Sequence, residues 1–99
     1  MAQFDVHPAF AEGTLVVDCQ SDVLDDLATR IVIPLYPSDG LAWRFPRLSP
    51  EIRLGDENLI LATPDMATVG VSDLGPVIGS VADQRYVILN AIDFLLTGS

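Results

Sequence analysis

The chain has 99 residues, of which 49% are hydrophobic, and it carries 14 acidic residues against five arginines and no lysine, for a formal net charge of −9. This length fits a single domain over residues 1–99 with one hydrophobic core. The charge argues against direct nucleic-acid binding, because phosphates are neutralised by lysine and arginine, and it favours a basic protein partner.

The first half of the chain is predicted to form β-strands. Residues 4–6 and 14–19 are expected to pair as a hairpin joined by a loop over residues 8–13. Residues 30–36 are rich in β-branched side chains, which favour strands. Pro34 has no N–H to donate, so this strand is predicted to lie at a sheet edge or to carry a bulge.

Residues 38–50 are predicted to form a loop or a short helix. Trp43 lies in this segment between Ala42 and Arg44 and is expected to anchor the loop by burying its ring. A platform on which nucleic-acid bases stack is the alternative role for this side chain.

A second hairpin is predicted in the middle of the chain. Apolar residues alternate over residues 52–54 and 59–63, on either side of the turn-forming residues 55–58. Residues 64–67 predict a turn. Residues 69–79 are interrupted by three glycines and a proline, so only short elements are expected there.

The end of the chain predicts one long helix over residues 81–97, which contain no glycine or proline. Ser80 and Asp83 resemble a capping box with Asp in place of the usual Glu, and Gly98 is placed as the C-terminal cap. At about 100° per residue the apolar side chains spread over roughly 220°, whereas a surface helix needs a stripe of only ~100°. We therefore predict that part of the helix faces a second chain; deep burial in its own core is the alternative. The apolar positions are Val87, Ile88, Leu89, Ala91, Ile92, Phe94, Leu95 and Leu96.

Eight stretches together resemble the CcdB family of toxins from toxin–antitoxin pairs. Their order and spacing match the family over nearly the whole chain. The stretches are Gln3-Phe4-x-Val6, Val17-Asp18-x-Gln20-Ser21-Asp22-Val23-Leu24-Asp25, Arg30-x-Val32-Ile33-Pro34-Leu35, Gly55-Asp56-Glu57, Thr63-x-Asp65-Met66-Ala67-x-Val69, Val81-Ala82-Asp83, Asn90-Ala91-Ile92 and Gly98.

The resemblance implies a mainly β fold of the α+β class, with an SH3-like, barrel-type antiparallel sheet and a long C-terminal helix, as in CcdB and MazF toxins. It implies a homodimer that binds the A subunit of DNA gyrase and traps the complex in which DNA is cleaved. It also implies a CcdA-like antitoxin that neutralises the toxin, and binding of operator DNA only by the toxin–antitoxin complex.

The resemblance further implies where gyrase is bound, namely by the end of the C-terminal helix and the segment after Gln-Ser-Asp. The matching contact residues are Val23, Leu24 and Gly98. The supporting residues close by are Gln3, Phe4 and Ser21. The tail departs from the best-known member, which has tryptophan at the position of Thr97 and a bulky aliphatic residue at that of Ser99. This departure favours, as the alternative, a degenerate dimer that binds antitoxin without poisoning gyrase.

No catalytic site, metal or cofactor is expected. The four aspartates within residues 18–26 offer oxygen ligands for Mg²⁺ or Ca²⁺, but aspartate is also common in turns and helix caps. His7 is the only histidine, which excludes a histidine pair and a zinc site with two histidines. Cys19 lies in an apolar strand and is expected to be an inert thiol.

The enzymatic alternative is an endoribonuclease of the MazF or Kid type, which resembles CcdB in fold. Such an enzyme needs a cationic groove and an acid–base set, for which Arg30 and Asp18 could supply one pair. The net charge of −9 argues against it. The polar N-terminus, the absence of a membrane-length apolar run and the single cysteine predict a cytoplasmic protein without membrane contact.

Overall fold

The computed structural model describes residues 2–10, 13–38 and 46–98. The predicted anchor Trp43 and the last residue, Ser99, lie outside these ranges. The strands and the α-helix are β1 (Asp5–Ala9), β2 (Thr14–Asp18), β3 (Thr29–Pro37), β4 (Glu51–Leu54), β5 (Glu57–Leu61), β6 (Ala67–Gly70), β7 (Gly79–Ser80) and α1 (Arg85–Thr97).

The described strands form one antiparallel sheet in the order β4-β5-β3-β2-β1-β7. β3 is long enough to pair along one side with β2 and along the other with β6 and then β5. A curved antiparallel sheet followed by one C-terminal helix confirms the predicted fold class.

Both predicted hairpins are present. In the first, Val6 pairs with Val17, but β1 continues to Ala9, so the connecting loop is shorter than predicted. In the second, Leu54 pairs with Glu57 across a two-residue turn. Gly55 begins this turn with φ +61°, a conformation that other residues adopt only with strain.

Pro34 contradicts the predicted edge position, because β3 is paired on both sides. The backbone N–H of Cys19 donates to the carbonyl of Ile31, so the odd-numbered residues of β3 form the hydrogen bonds to β2. The backbone nitrogen of Pro34 therefore faces the other side of β3, away from β2. On that side β3 changes partner from β6 to β5, and the carbonyl of Pro34 accepts from Ala62 at 2.9 Å. The missing N–H therefore falls where the ladder is already interrupted.

The helix begins later than predicted. Ala82–Gln84 form a 3₁₀ turn and α1 starts at Arg85. The Ser80 hydroxyl accepts from the backbone N–H of Ala82 at 3.2 Å, but no bond from Asp83 completes a capping box. Gly98 ends α1 as predicted, with φ +75° and its N–H donating to Phe94.

The Gln84 side chain closes the gap between the two ends of the sheet. Its amide oxygen accepts from the backbone N–H of Arg53 at 2.8 Å, and its amide nitrogen donates to the carbonyl of Arg53 at 2.7 Å. Nearby, a Cβ added to Gly79 in β7 would lie 3.0 Å from the Leu54 side chain in β4. The sheet is thus nearly closed into a barrel.

The main core lies inside this barrel and under the helix. From α1 only Ile88 and Ala91 are fully buried. The remaining buried apolar residues of this cluster are Phe4, Val6, Val17, Ile33, Leu35, Ile52, Leu59, Leu61 and Val81. The barrel of a single chain therefore buries only a narrow stripe of α1, and other apolar side chains of this helix stay at the surface. Among the described residues, no helix is long and apolar enough to cross a bilayer.

Candidate partner-binding surface

An apolar groove of about 500 Å³ lies between the end of α1, one face of the sheet and the segment that follows β2. Helix residues Ile92 and Leu96 form one wall, and Leu24 and Leu27 form the other. The floor and ends are lined by Cys19, Gln20, Ser21, Thr29, Ile31, Met66 and Thr68. The groove therefore joins two regions that are far apart in sequence.

The segment after β2 presents apolar side chains to solvent. Asp22–Leu24 form a 3₁₀ turn in which no residue is buried, and Val23 is 89% exposed. The Ser21 hydroxyl caps this turn by accepting from the N–H of Val23 at 3.2 Å. Because exposed large apolar side chains gain most from being covered, this turn has the character of a contact surface.

Polar contacts hold the turn against the barrel. The Gln20 amide donates to the carbonyl of Leu24 at 2.9 Å and accepts from the N–H of Ile31 at 3.2 Å. The backbone N–H of Gln3 donates to the Asp22 carboxylate at 2.8 Å. The turn is thus attached to β3 and to the N-terminus.

A buried ion pair lies directly beneath the turn. Arg30 and Asp18 have no solvent-exposed side-chain surface, and Arg30 Nη2 is 2.7 Å from Asp18 Oδ2. Arg30 also donates through Nη1 to Asp25, whose side chain is 53% exposed, at 3.0 Å. Burial alone would lower the pKa of Arg30, but hydrogen bonds and the charges of Asp18 and Asp25 raise it above its ordinary value. Arg30 is therefore a permanently charged, fixed donor.

The residues predicted to contact gyrase and the residues predicted to support that site have different surroundings in the structure. Val23 and Leu24 are exposed, and Gly98 is exposed two residues beyond Leu96 of the groove. Gln3 and Ser21 make the hydrogen bonds that hold the turn. Phe4 is different: it is only 2% exposed, belongs to the core, and adopts a positive φ of 71°.

The sequence prediction missed several residues that line the groove. Leu27 is an apolar residue that directly follows two aspartates, which is a signal that could have indicated a surface role. Met66 and Thr68 gave no such signal, because their position depends on the pairing of β6 with β3, where Thr68 lies opposite Ile31.

A second depression, of about 460 Å³, lies on the other flank of α1. Its lining residues are Pro46, Arg47, Pro50, Val87, Asn90 and Asp93. The Arg47 guanidinium carbon lies 4.1 Å from the centre of the Phe94 ring, within the range of a cation–π contact. This flank is more polar than the groove, which carries most of the exposed apolar side chains at the helix end.

The residues considered for catalysis have structural roles. His7 is 1% exposed, with Nδ1 2.9 Å from the carbonyl of Gly75. Asp18 is paired with Arg30, and Asp22 accepts from Gln3. Within the described ranges, no three histidine, cysteine, aspartate or glutamate side chains are grouped so that they could hold a metal ion.

The Cys19 thiol is expected to be unreactive at neutral pH. Burial, and secondly the charge of Asp18, raises its pKa to about 12. Since the thiolate is the nucleophile, the folded protein at pH 8 should react with Ellman's reagent at least ~100-fold more slowly than the urea-unfolded chain, whose thiol pKa is ~8.5. Equal rates for folded and unfolded protein would contradict the buried environment described for this thiol.

Comparison with known proteins gives one family match and several structural neighbours. The profile of the family described as CcdB protein matches residues 3–98. A mycobacterial endoribonuclease in complex with its cognate antitoxin superposes with a TM-score of 0.80 at 15% identity, over 97% of this chain and 94% of that one. The Mycobacterium tuberculosis toxin MazF-mt6 superposes with a TM-score of 0.75 at 19% identity, over 93% of this chain and 95% of that one. At these identities the neighbours show a shared fold.

Proposed function

The chain belongs to the CcdB family, and we propose that it is the toxin of a toxin–antitoxin pair that binds the A subunit of DNA gyrase as a homodimer and traps the cleaved DNA complex. The observation that carries the proposal is the joining of the turn at Asp22–Leu24 to the end of α1 through one apolar groove. These are the two regions that the family uses to contact gyrase.

The groove is the surface that a second copy covers. Its lining is mainly apolar, as in homodimer interfaces, and a two-fold axis would cover the same groove on both chains. Among the lining residues, Thr68 belongs to β6, which among the described strands pairs only with β3. An unpaired strand edge beside an apolar groove is costly to leave in water, so dimerisation protects it.

The rim of the groove is the surface that gyrase contacts. Val23 is exposed and is not among the residues that line the groove, and Gly98 lies beyond its helix wall. A two-fold axis through the groove region brings both copies of this rim to one side of the dimer. A dimer of gyrase A subunits then meets each contact twice.

A CcdA-like antitoxin neutralises the dimer. The net charge of −9 attracts a basic segment, and apolar side chains around the groove rim suit the apolar residues of such a segment. The related fold found with its cognate antitoxin supports this assignment. Operator DNA is bound only by the complex, since a sequence with no lysine and a net charge of −9 is poorly suited to neutralising phosphates by itself.

The Arg30–Asp18 pair considered for an endoribonuclease is not accessible to a substrate. Arg30 is completely buried and is held by two aspartates, so it is not placed to contact a phosphate. The purified protein is therefore expected not to cut RNA, with or without Mg²⁺.

The gyrase proposal is tested by calorimetry, in which the DNA-breakage domain of gyrase is titrated with the wild-type protein and with the variant Val23→Asp. Val23→Asp is expected to remove about 1.5 kcal/mol of binding free energy at each of the two copies, which weakens binding by ~100-fold. Val77→Asp is the matched control, because Val77 is also exposed, at 49%, and lies outside the groove. Equal binding by all three proteins would contradict the assigned surface. Binding of antitoxin but not gyrase by the wild-type protein would favour the degenerate dimer.

A further inference from the structure

The turn at Asp22–Leu24 has no fully buried apolar side chain to anchor it. None of its residues is buried, and Leu27 just beyond it is half exposed. A surface turn with few buried contacts is expected to open easily. Its position must therefore depend on the polar contacts that attach it to the barrel.

A further contact, made by the residue that follows the turn, runs from Asp25 to Arg30. Arg30 Nη1 donates to Asp25 Oδ1 at 3.0 Å, while Nε donates to Asp18 Oδ2 at 2.9 Å. Asp18 is itself fixed, since its other oxygen accepts from the backbone N–H of Gln20 at 3.1 Å. One end of this chain of bonds is thus rigid and buried, and the other is half exposed.

We propose that Asp25 is a positioning residue: by bonding to the buried Arg30 it locks the turn in the orientation that presents Val23 to the partner. This inference rests on the proposed gyrase contact. The lock is separable from the core, because loss of Asp25 leaves the Arg30–Asp18 pair intact. Without the Asp25–Arg30 hydrogen bond the turn is free to move. Ordering Val23 during binding then costs part of the binding free energy.

The test compares Asp25→Ala with Asp26→Ala. Both remove one negative charge from adjacent residues, but only Asp25 bonds to Arg30. We expect amide hydrogen exchange at Val23 and Leu24, whose N–H groups bond to Ser21, to accelerate about fivefold or more in Asp25→Ala alone. Affinity for the gyrase breakage domain should fall by a similar factor in Asp25→Ala and stay at the wild-type value in Asp26→Ala.

A conservative variant separates positioning from charge. In Asp25→Asn the amide oxygen can still accept from Arg30, so exchange and affinity should return most of the way to wild type. Unchanged exchange in Asp25→Ala would overturn the inference, as would faster exchange with wild-type affinity. If the wild-type protein fails to bind gyrase, the proposed function fails, and the exchange data still decide whether Asp25 locks the turn.

Discussion

Replacing Leu96 with aspartate is expected to convert the proposed dimer into a monomer. Leu96 is 70% exposed in the single chain and forms the helix wall of the groove with Ile92. The fold should tolerate the change, because the new carboxylate is solvated in the monomer. In the dimer it would be covered by the second copy without a basic partner, at a cost of several kcal/mol for each chain.

Sedimentation at micromolar concentration measures this effect. The wild-type protein should sediment at twice the chain mass and Leu96→Asp at one chain mass, with unchanged circular dichroism. Val87→Asp is the control on the same helix, because Val87 is also exposed and lies on the opposite flank, in the second depression. A dimeric Leu96→Asp together with a monomeric Val87→Asp would move the interface to that flank.

Replacing Arg30 with methionine is expected to remove about 3–5 kcal/mol of stability, because it leaves Asp18 buried without its partner. Small domains have only ~5–15 kcal/mol in total, so this single change should bring the protein close to unfolding. Urea titration followed by circular dichroism measures the loss.

The double variant Arg30→Met/Asp18→Leu provides the control for the buried charge. With both charges removed and apolar side chains in their place, most of the stability should return. A loss below about 1 kcal/mol in Arg30→Met would contradict the stabilising role assigned to this buried pair.

The sequence predicted most of the fold where the signal was local. Gly98 ends the helix because only a residue tolerant of positive φ fits there, and that requirement is visible in the sequence. Pro34 was predicted to mark an edge strand or a bulge, and the edge position was wrong, because the strand is central and changes partner at that point. The helix start was misplaced because Val81 is fully buried and its N–H donates to Phe4, a contact that no local pattern reveals.

The candidate surface was predictable in part. Val23 and Leu24 followed from the resemblance, and their exposure agrees with a surface role. The groove between Leu24 and Leu96 did not follow from the sequence. It depends on how a turn and a helix end, about 70 residues apart, meet over one face of the sheet. Arg30 and Asp18 were considered as a catalytic pair, and the structure places both in a buried ion pair beneath the turn.

Gyrase poisoning by this protein is tested most directly by a DNA cleavage assay with purified gyrase and supercoiled plasmid. Addition of the wild-type protein should cause linear DNA to accumulate after the gyrase is denatured and digested, and Val23→Asp should abolish the effect. Val77→Asp should behave as wild type. No linear DNA at any concentration of a dimeric wild-type protein, or cleavage of RNA by that protein alone, would contradict the account.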